Sequence, residues 1–103
     1  MPNTFLPATP ALQWLQLPAV RLLVAVADSG SLSAGARAIG MAQANASRTI
    51  ATLERRLGYP LLNRSTRGSQ LTTSGSLTVE WAREILDAVE RLSAGAAALA
   101  VTS

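Results

Sequence analysis

The 103-residue chain contains no cysteine and no histidine. Without cysteine there is no disulfide scaffold, no thiolate nucleophile and no thiolate metal site. Without histidine, the commonest general base and the commonest metal ligand are gone as well. Serine, threonine, aspartate and glutamate remain, but no base stands at catalytic spacing from a nucleophile. No enzymatic activity, cofactor or metal is therefore expected. Lysine is absent too, so all nine cations are arginine, whose planar fork suits phosphate and guanine edges. Aromatics make up only 4% of a chain that is 49% hydrophobic. Alanine and leucine must do the filling, which favours close-packed helices over a strand-rich sandwich. No apolar run approaches the roughly 20 residues that a membrane span needs. The run LLVAVADS at 22–29 has the outline of a signal-peptide core. Arg21 interrupts it, however, and no positively charged stretch leads into it. A cytoplasmic location is expected.

The length allows one small domain with one modest core. Its charge is unevenly spread. Between residues 37 and 67, Arg37, Arg48, Arg55, Arg56, Arg64 and Arg67 face Glu54 alone, six against one, a local balance of +5. In the last third, Arg83 and Arg91 face Glu80, Glu84, Asp87 and Glu90, two against four, or −2. A basic middle between neutral and acidic ends suits an anionic partner; the simpler reading is a solvated helix face.

Residues 1–16 carry Pro2, Pro7 and Pro10 with no sustained period, which reads as a flexible leader in which Phe5 and Trp14 dock locally. Pro18 suits the first turn of a helix. Leu22, Leu23, Val26 and Ala27 give that helix an apolar face, closed by Ser29-Gly30. Ser31 can cap a short second helix with Leu32, Gly35, Ala36 and Ile39 on its apolar side. The small Gly35-Ala36 pair would let another helix cross closely. Gly40 ends it in a turn, and Met41 points back between neighbours. A third helix fits 43–57, with Ala46, Ile50, Leu53 and Leu57 as its core stripe and Gly58 as its stop. The sequence from 61 to 73, LLNRSTRGSQLTT, suggests a small hairpin around Ser65–Gly68. Thr73 or Ser74 can cap a long last helix whose Leu77, Trp81, Ile85, Ala88, Val89, Leu92, Ala96 and Leu99 recur every three or four residues. That stripe is too long to be satisfied inside so small a body and calls for a partner helix.

The second and third helices around Gly40 form a helix-turn-helix. Short polar side chains open the third helix, where a helix that only packs would carry larger apolar groups. Gln and Asn can pair with adenine, Arg with guanine, and a small residue such as Ala44 with a thymine methyl. An arginine-bearing hairpin behind this unit has the charge that a wing on phosphate or in the minor groove needs. The fold class expected is mainly α, a winged helix-turn-helix of three helices and a small hairpin, followed by a long helix. Its parts are a leader at 1–16, the DNA-binding domain at 17–72 and a linker or dimerisation helix at 73–103.

Residues 17–92 resemble the N-terminal winged helix-turn-helix of LysR-type transcriptional regulators. The matching features are the run from LLVAVADSGSLS through TLERRLGYPLLNRSTRGSQLTTSG, with its Leu53-Glu54, Leu57-Gly58, Leu61-Leu62, Arg64, Arg67 and Leu71-Thr72 spacings. The resemblance implies a homodimer joined through the last helix and bound to double-stranded DNA. It also implies a small-molecule effector where a sensing domain follows. Base-reading and phosphate-binding roles would fall on Gln43, Ala44, Asn45, Ser47, Arg48 and Thr49, with Ser31 and Ser33 beside them and Arg64 and Arg67 on the wing. Leu77, Trp81, Ile85, Val89 and Leu92 would make the dimer contact. Three positions depart from the family pattern. Ala42 replaces the usual Ser or Thr cap, Ala44-Asn45 replaces a proline-containing pair, and Ala46 replaces a larger apolar residue. A stand-alone winged-helix regulator, or the related molybdate-responsive regulator type, is the alternative within this class. Outside it, the stripe at 77–99 could serve a helical protein-interaction module.

Overall fold

The structure, a computed structural model, describes residues 14–65 and 68–102. Residues 1–13, including Phe5, lie outside them, as do Thr66, Arg67 and Ser103. The order of elements is α1 (Leu17–Ser29), α2 (Leu32–Ala38), α3 (Gln43–Leu57), β1 (Leu62–Ser65), β2 (Gly68–Leu71) and α4 (Thr73–Thr102).

Local chemistry accounts for each helix end. Pro18 stands in the first turn of α1, where its missing N–H costs nothing. Gly30 closes α1 at φ 88°, a left-handed conformation that returns its N–H to the Val26 carbonyl. The Ser31 hydroxyl caps α2 by accepting the Ala34 N–H at 3.1 Å. The chain bends by 120° between these helices, and they then pack intimately. A Cβ on Gly35 would stand 2.7 Å from the Val26 nitrogen, so only glycine permits this crossing. Gly40, at φ 73°, makes the turn. Met41 follows it, donating its N–H to the Ala36 carbonyl at 2.8 Å and packing its side chain against the core. At α3, Ala42 offers no side-chain cap, as the residue type requires.

The core gathers Leu22, Leu23 and Val26 of α1, Leu32 and Ala36 of α2, and Ala46, Ile50 and Leu53 of α3. Leu61 and Leu62 enter from the start of the hairpin. Ala46 is fully enclosed despite its small size. Leu57 corrects the expected stripe: it is 36% exposed, because the last turn of α3 runs past the edge of the core. Two residues ahead of α1, Trp14 and Leu15, also pack against this core.

The hairpin is antiparallel, pairing Leu62 with Leu71 and Ser65 with Gly68. It is tied to its surroundings by bonds that sequence reasoning did not supply. The Glu54 carboxylate on α3 accepts the N–H groups of Leu61 (2.8 Å) and Leu62 (3.2 Å). The cap of α4 is Thr72, not Thr73 or Ser74. Its hydroxyl accepts the Gly75 N–H at 2.8 Å and donates to the Pro60 carbonyl at 2.7 Å. Tyr59 and Thr78 share a further 2.7 Å hydrogen bond. Since the Thr78 hydroxyl already donates to the Ser74 carbonyl, Tyr59 is the donor.

α4 is 30 residues long, roughly 45 Å at the ordinary helical rise. Only its first half touches the domain, and by a face not singled out in the sequence. Gly75, Val79 and Ala82 are buried, and Leu86 is partly so. At the outer end of this contact, Arg83 donates to Asp28 of α1 at 2.7 Å. That hydrogen bond raises the Arg83 pKa above its ordinary value. Leu77, Trp81, Ile85 and Leu92 stay exposed, Trp81 by 56% and Leu92 by 70%.

Candidate nucleic-acid interface

At 100° per residue, the three core positions of α3 leave an opposite arc occupied by Ala44, Arg48, Ala51, Thr52 and Arg55. In the structure Ala44, Arg48, Ala51 and Arg55 are exposed and Thr52 is half-buried. Ser47 lies on one shoulder of the arc with Gln43; Asn45 and Thr49 lie on the other. Gln43 and Asn45 are exposed, whereas Ser47 and Thr49 are half-buried. The polar leading edge therefore faces outward as a surface, with only small side chains between its long ones.

The electrostatics of this surface follow from where Glu54 goes. It is the single carboxylate within the basic stretch, and it is turned toward the hairpin backbone. Among the described residues, Arg37, Arg48, Arg55 and Arg56 make no ion pair. Arg55 donates a long 3.4 Å hydrogen bond to the Thr52 hydroxyl. Arg56 lies with its guanidinium carbon 6.0 Å from the centre of the Trp14 ring. Unpaired arginines on a carboxylate-free helix face hold a positive potential that an anionic backbone can use.

A cleft of about 530 Å³ runs along the Asn45 shoulder, where Asn45, Arg48, Thr49 and Thr52 meet the residues leading into α1. Gln43, Ala44 and Ser47 are outside it, as are Ser31 and Ser33, which are half-buried at the start of α2. The Ser31 oxygen is committed to its cap, which leaves its hydroxyl proton free to donate. Arg64 is placed on β1 opposite Ser69. The side chain of Arg64 and all of Arg67 lie outside the described residues. No group of three or more acidic side chains is placed to hold a metal ion among the described residues. No single helix there is long and apolar enough to cross a membrane.

The Glu54 and Thr72 anchors are functional support that sequence reasoning missed, whereas Trp14 docks as expected from the sequence. Glu54 stood out only as the odd acid in a basic run, which is a usable signal for a carboxylate with a structural bond.

Three helices, the third of them exposed and basic, and a two-stranded wing define a winged helix-turn-helix DNA-binding domain. The family described as bacterial regulatory helix-turn-helix protein, lysR family, matches residues 17–76, and the chain belongs to it. An uncharacterized HTH-type transcriptional regulator of Mycobacterium tuberculosis is 39% identical over 83 residues, 81% of this chain and 27% of that protein. The HTH-type transcriptional activator TtdR of Escherichia coli is 42% identical over 79 residues, 77% of this chain and 26% of TtdR. The chain thus spans about a quarter of the length of these curated relatives. The DNA-binding domain of CbnR, solved in complex with DNA, superposes with a TM-score of 0.77 at 34% identity. That match covers 84% of this chain and 99% of the CbnR domain. The chain is a DNA-binding transcription-regulator domain of the LysR type.

Proposed function

We propose that this domain binds an inverted-repeat operator as a homodimer, with α3 in the major groove and the hairpin on the backbone or minor groove. The observation that carries this reading is the outer arc of α3, where Arg48 and Arg55 are exposed and free of carboxylates. Gln43, Ala44, Asn45, Ser47, Arg48 and Thr49 read base edges or phosphates from that helix. Ser31 and Ser33 donate to the backbone from α2, and Arg64 and Arg67 from the wing. Leu77, Trp81, Ile85, Val89 and Leu92 join two copies. The domain acts in the cytoplasm and performs no catalysis. Any small-molecule effector acts through a part of the regulator beyond this domain.

The operator is obtained by enriching bound sequences from a random pool. On that operator, Arg48→Ala and Gln43→Ala are expected to weaken binding more than they do on random DNA. Each bidentate base contact is worth about 1–3 kcal/mol of discrimination. Equal losses on both duplexes would reassign these residues to phosphate.

The wing is tested by salt. Neutralising Arg64 or Arg67 is expected to reduce the slope of log affinity against log salt by about one unit, since each phosphate contact releases close to one counterion. An unchanged slope means that the hairpin faces away from DNA. The same titration separates DNA binding from an apolar protein-interaction module, whose helix pairing would hardly weaken with salt.

A further inference from the structure

Part of the cleft beside α3 is built by residues that precede the family segment, which begins at residue 17. Trp14 and Gln16 line it on one side, and Asn45, Arg48, Thr49 and Thr52 on the other. Helical geometry puts Asn45, Thr49, Thr52 and Arg56 in one row along the flank of α3. Trp14 packs against the core with Arg56 beside its ring. The backbone of Gln16 is held as well: its carbonyl accepts the N–H groups of Ala19 (3.1 Å) and Val20 (3.3 Å). Its side chain is different. Gln16 is exposed, makes no cap for α1, and its amide has no partner among the described residues.

The chemistry of the cleft selects for an anion. Its lining includes one arginine, the amides of Gln16 and Asn45, the hydroxyls of Thr49 and Thr52, and no carboxylate. A helix lying in the major groove has a sugar–phosphate strand along each flank, and half to two-thirds of protein–DNA hydrogen bonds go to that backbone. We propose that Gln16 is a further DNA-contacting residue, its amide donating to a phosphate beside the base pairs that Asn45 and Arg48 face. Trp14 is the residue that positions it. This rests on the reading of α3 as the recognition helix.

The test uses the whole chain, the enriched operator and a random duplex, each titrated over a range of salt. Gln16→Arg is expected to tighten binding to both and to steepen the salt slope by about 0.9, one added phosphate contact. Gln16→Glu, which sets a carboxylate against that phosphate, is expected to weaken both roughly tenfold at low salt. Trp14→Ala loosens both several-fold. Trp14→Phe behaves like the parent, because it keeps an aromatic ring and removes an indole Nε1 that is buried without a partner among the described residues. Thermal melting of each variant separates a lost contact from a lost fold. If both Gln16 variants match the parent in affinity and slope, the proposal is overturned while the recognition-helix reading stands. A parent chain that binds no DNA overturns that reading itself.

Discussion

Replacing Val89 and Leu92 with aspartate is expected to convert the proposed dimer into a monomer. The reason lies in how α4 distributes its side chains. Gly75, Val79, Ala82 and Leu86 face the domain. Leu77, Trp81, Ile85, Leu92 and Leu99 form a second apolar row, exposed between 37% and 70% and turned roughly 120° from the first by helical geometry. Val89, half-buried, lies between the rows. Arg83, Glu84, Asp87, Glu90 and Arg91 fill the remaining arc. A helix with charge on one third and apolar groups on two thirds has one apolar row to spare, and monomers seldom tolerate such a patch. Pairing two copies removes it from water.

Across a two-fold axis the double substitution removes four apolar side chains. Each is worth about 1.5–3 kcal/mol when fully buried. The dimer should then weaken by roughly 6 kcal/mol or more, about four orders of magnitude in dissociation constant. Sedimentation equilibrium reads this directly. Leu92 is 70% exposed, so the variant should keep the parent's helical circular dichroism. On an inverted repeat it should bind as two independent half-sites. A variant that sediments like the parent would remove α4 from the interface.

Gly75→Ala should cost the most stability for the smallest chemical change. The added methyl would stand 2.3 Å from the Leu61 carbonyl oxygen and 3.1 Å from the Thr72 hydroxyl. Neither obstacle can retreat easily. The Leu61 carbonyl accepts the Thr72 N–H at 2.8 Å, its own N–H is held by Glu54, and the Thr72 hydroxyl is bonded to Pro60. Forcing a methyl into such a site typically costs about 1–3 kcal/mol. Any gain in helix propensity from alanine is about 1 kcal/mol and does not compensate. Gly95 is the matched control, because nothing lies within 4 Å of a Cβ there. Gly95→Ala should stabilise α4 by about 0.8–1 kcal/mol. Urea midpoints measure both. If the two alanine variants shift in the same direction, the junction between hairpin and α4 is not the rigid joint described.

The junction also shows why part of the fold was not legible beforehand. Thr72, Thr73 and Ser74 are three consecutive hydroxyl residues, each chemically able to cap a helix. Thr72 is the cap because its oxygen also reaches Pro60 across the chain reversal, a contact that no local pattern encodes. Likewise Glu54 is one of several acids by composition. Only the packing of α3 against the hairpin makes it the acceptor for two backbone N–H groups.

By itself the sequence determined what local sterics and periodicity can express. Gly30, Gly40 and Gly58 each mark a left-handed turn, Ser31 caps α2, Gly35 lets the first two helices cross, and Ala46, Ile50 and Leu53 turn α3 inward. Once that core face is set, the outer face of α3 follows, so its polar residues were readable as a surface. What only the tertiary structure decided was the use of α4 and of the residues before α1. The sequence of α4 holds two overlapping apolar rows, and periodicity singled out the longer one. The domain instead took the row of Gly75, Val79 and Ala82, with Gly75 seated against the Leu61 carbonyl, because a helix approaches its neighbours closest where its side chains are short. Trp14 and Gln16 carry no periodic signal at all; their place beside Asn45 and Arg48 exists only because α1 and α3 enclose a cleft.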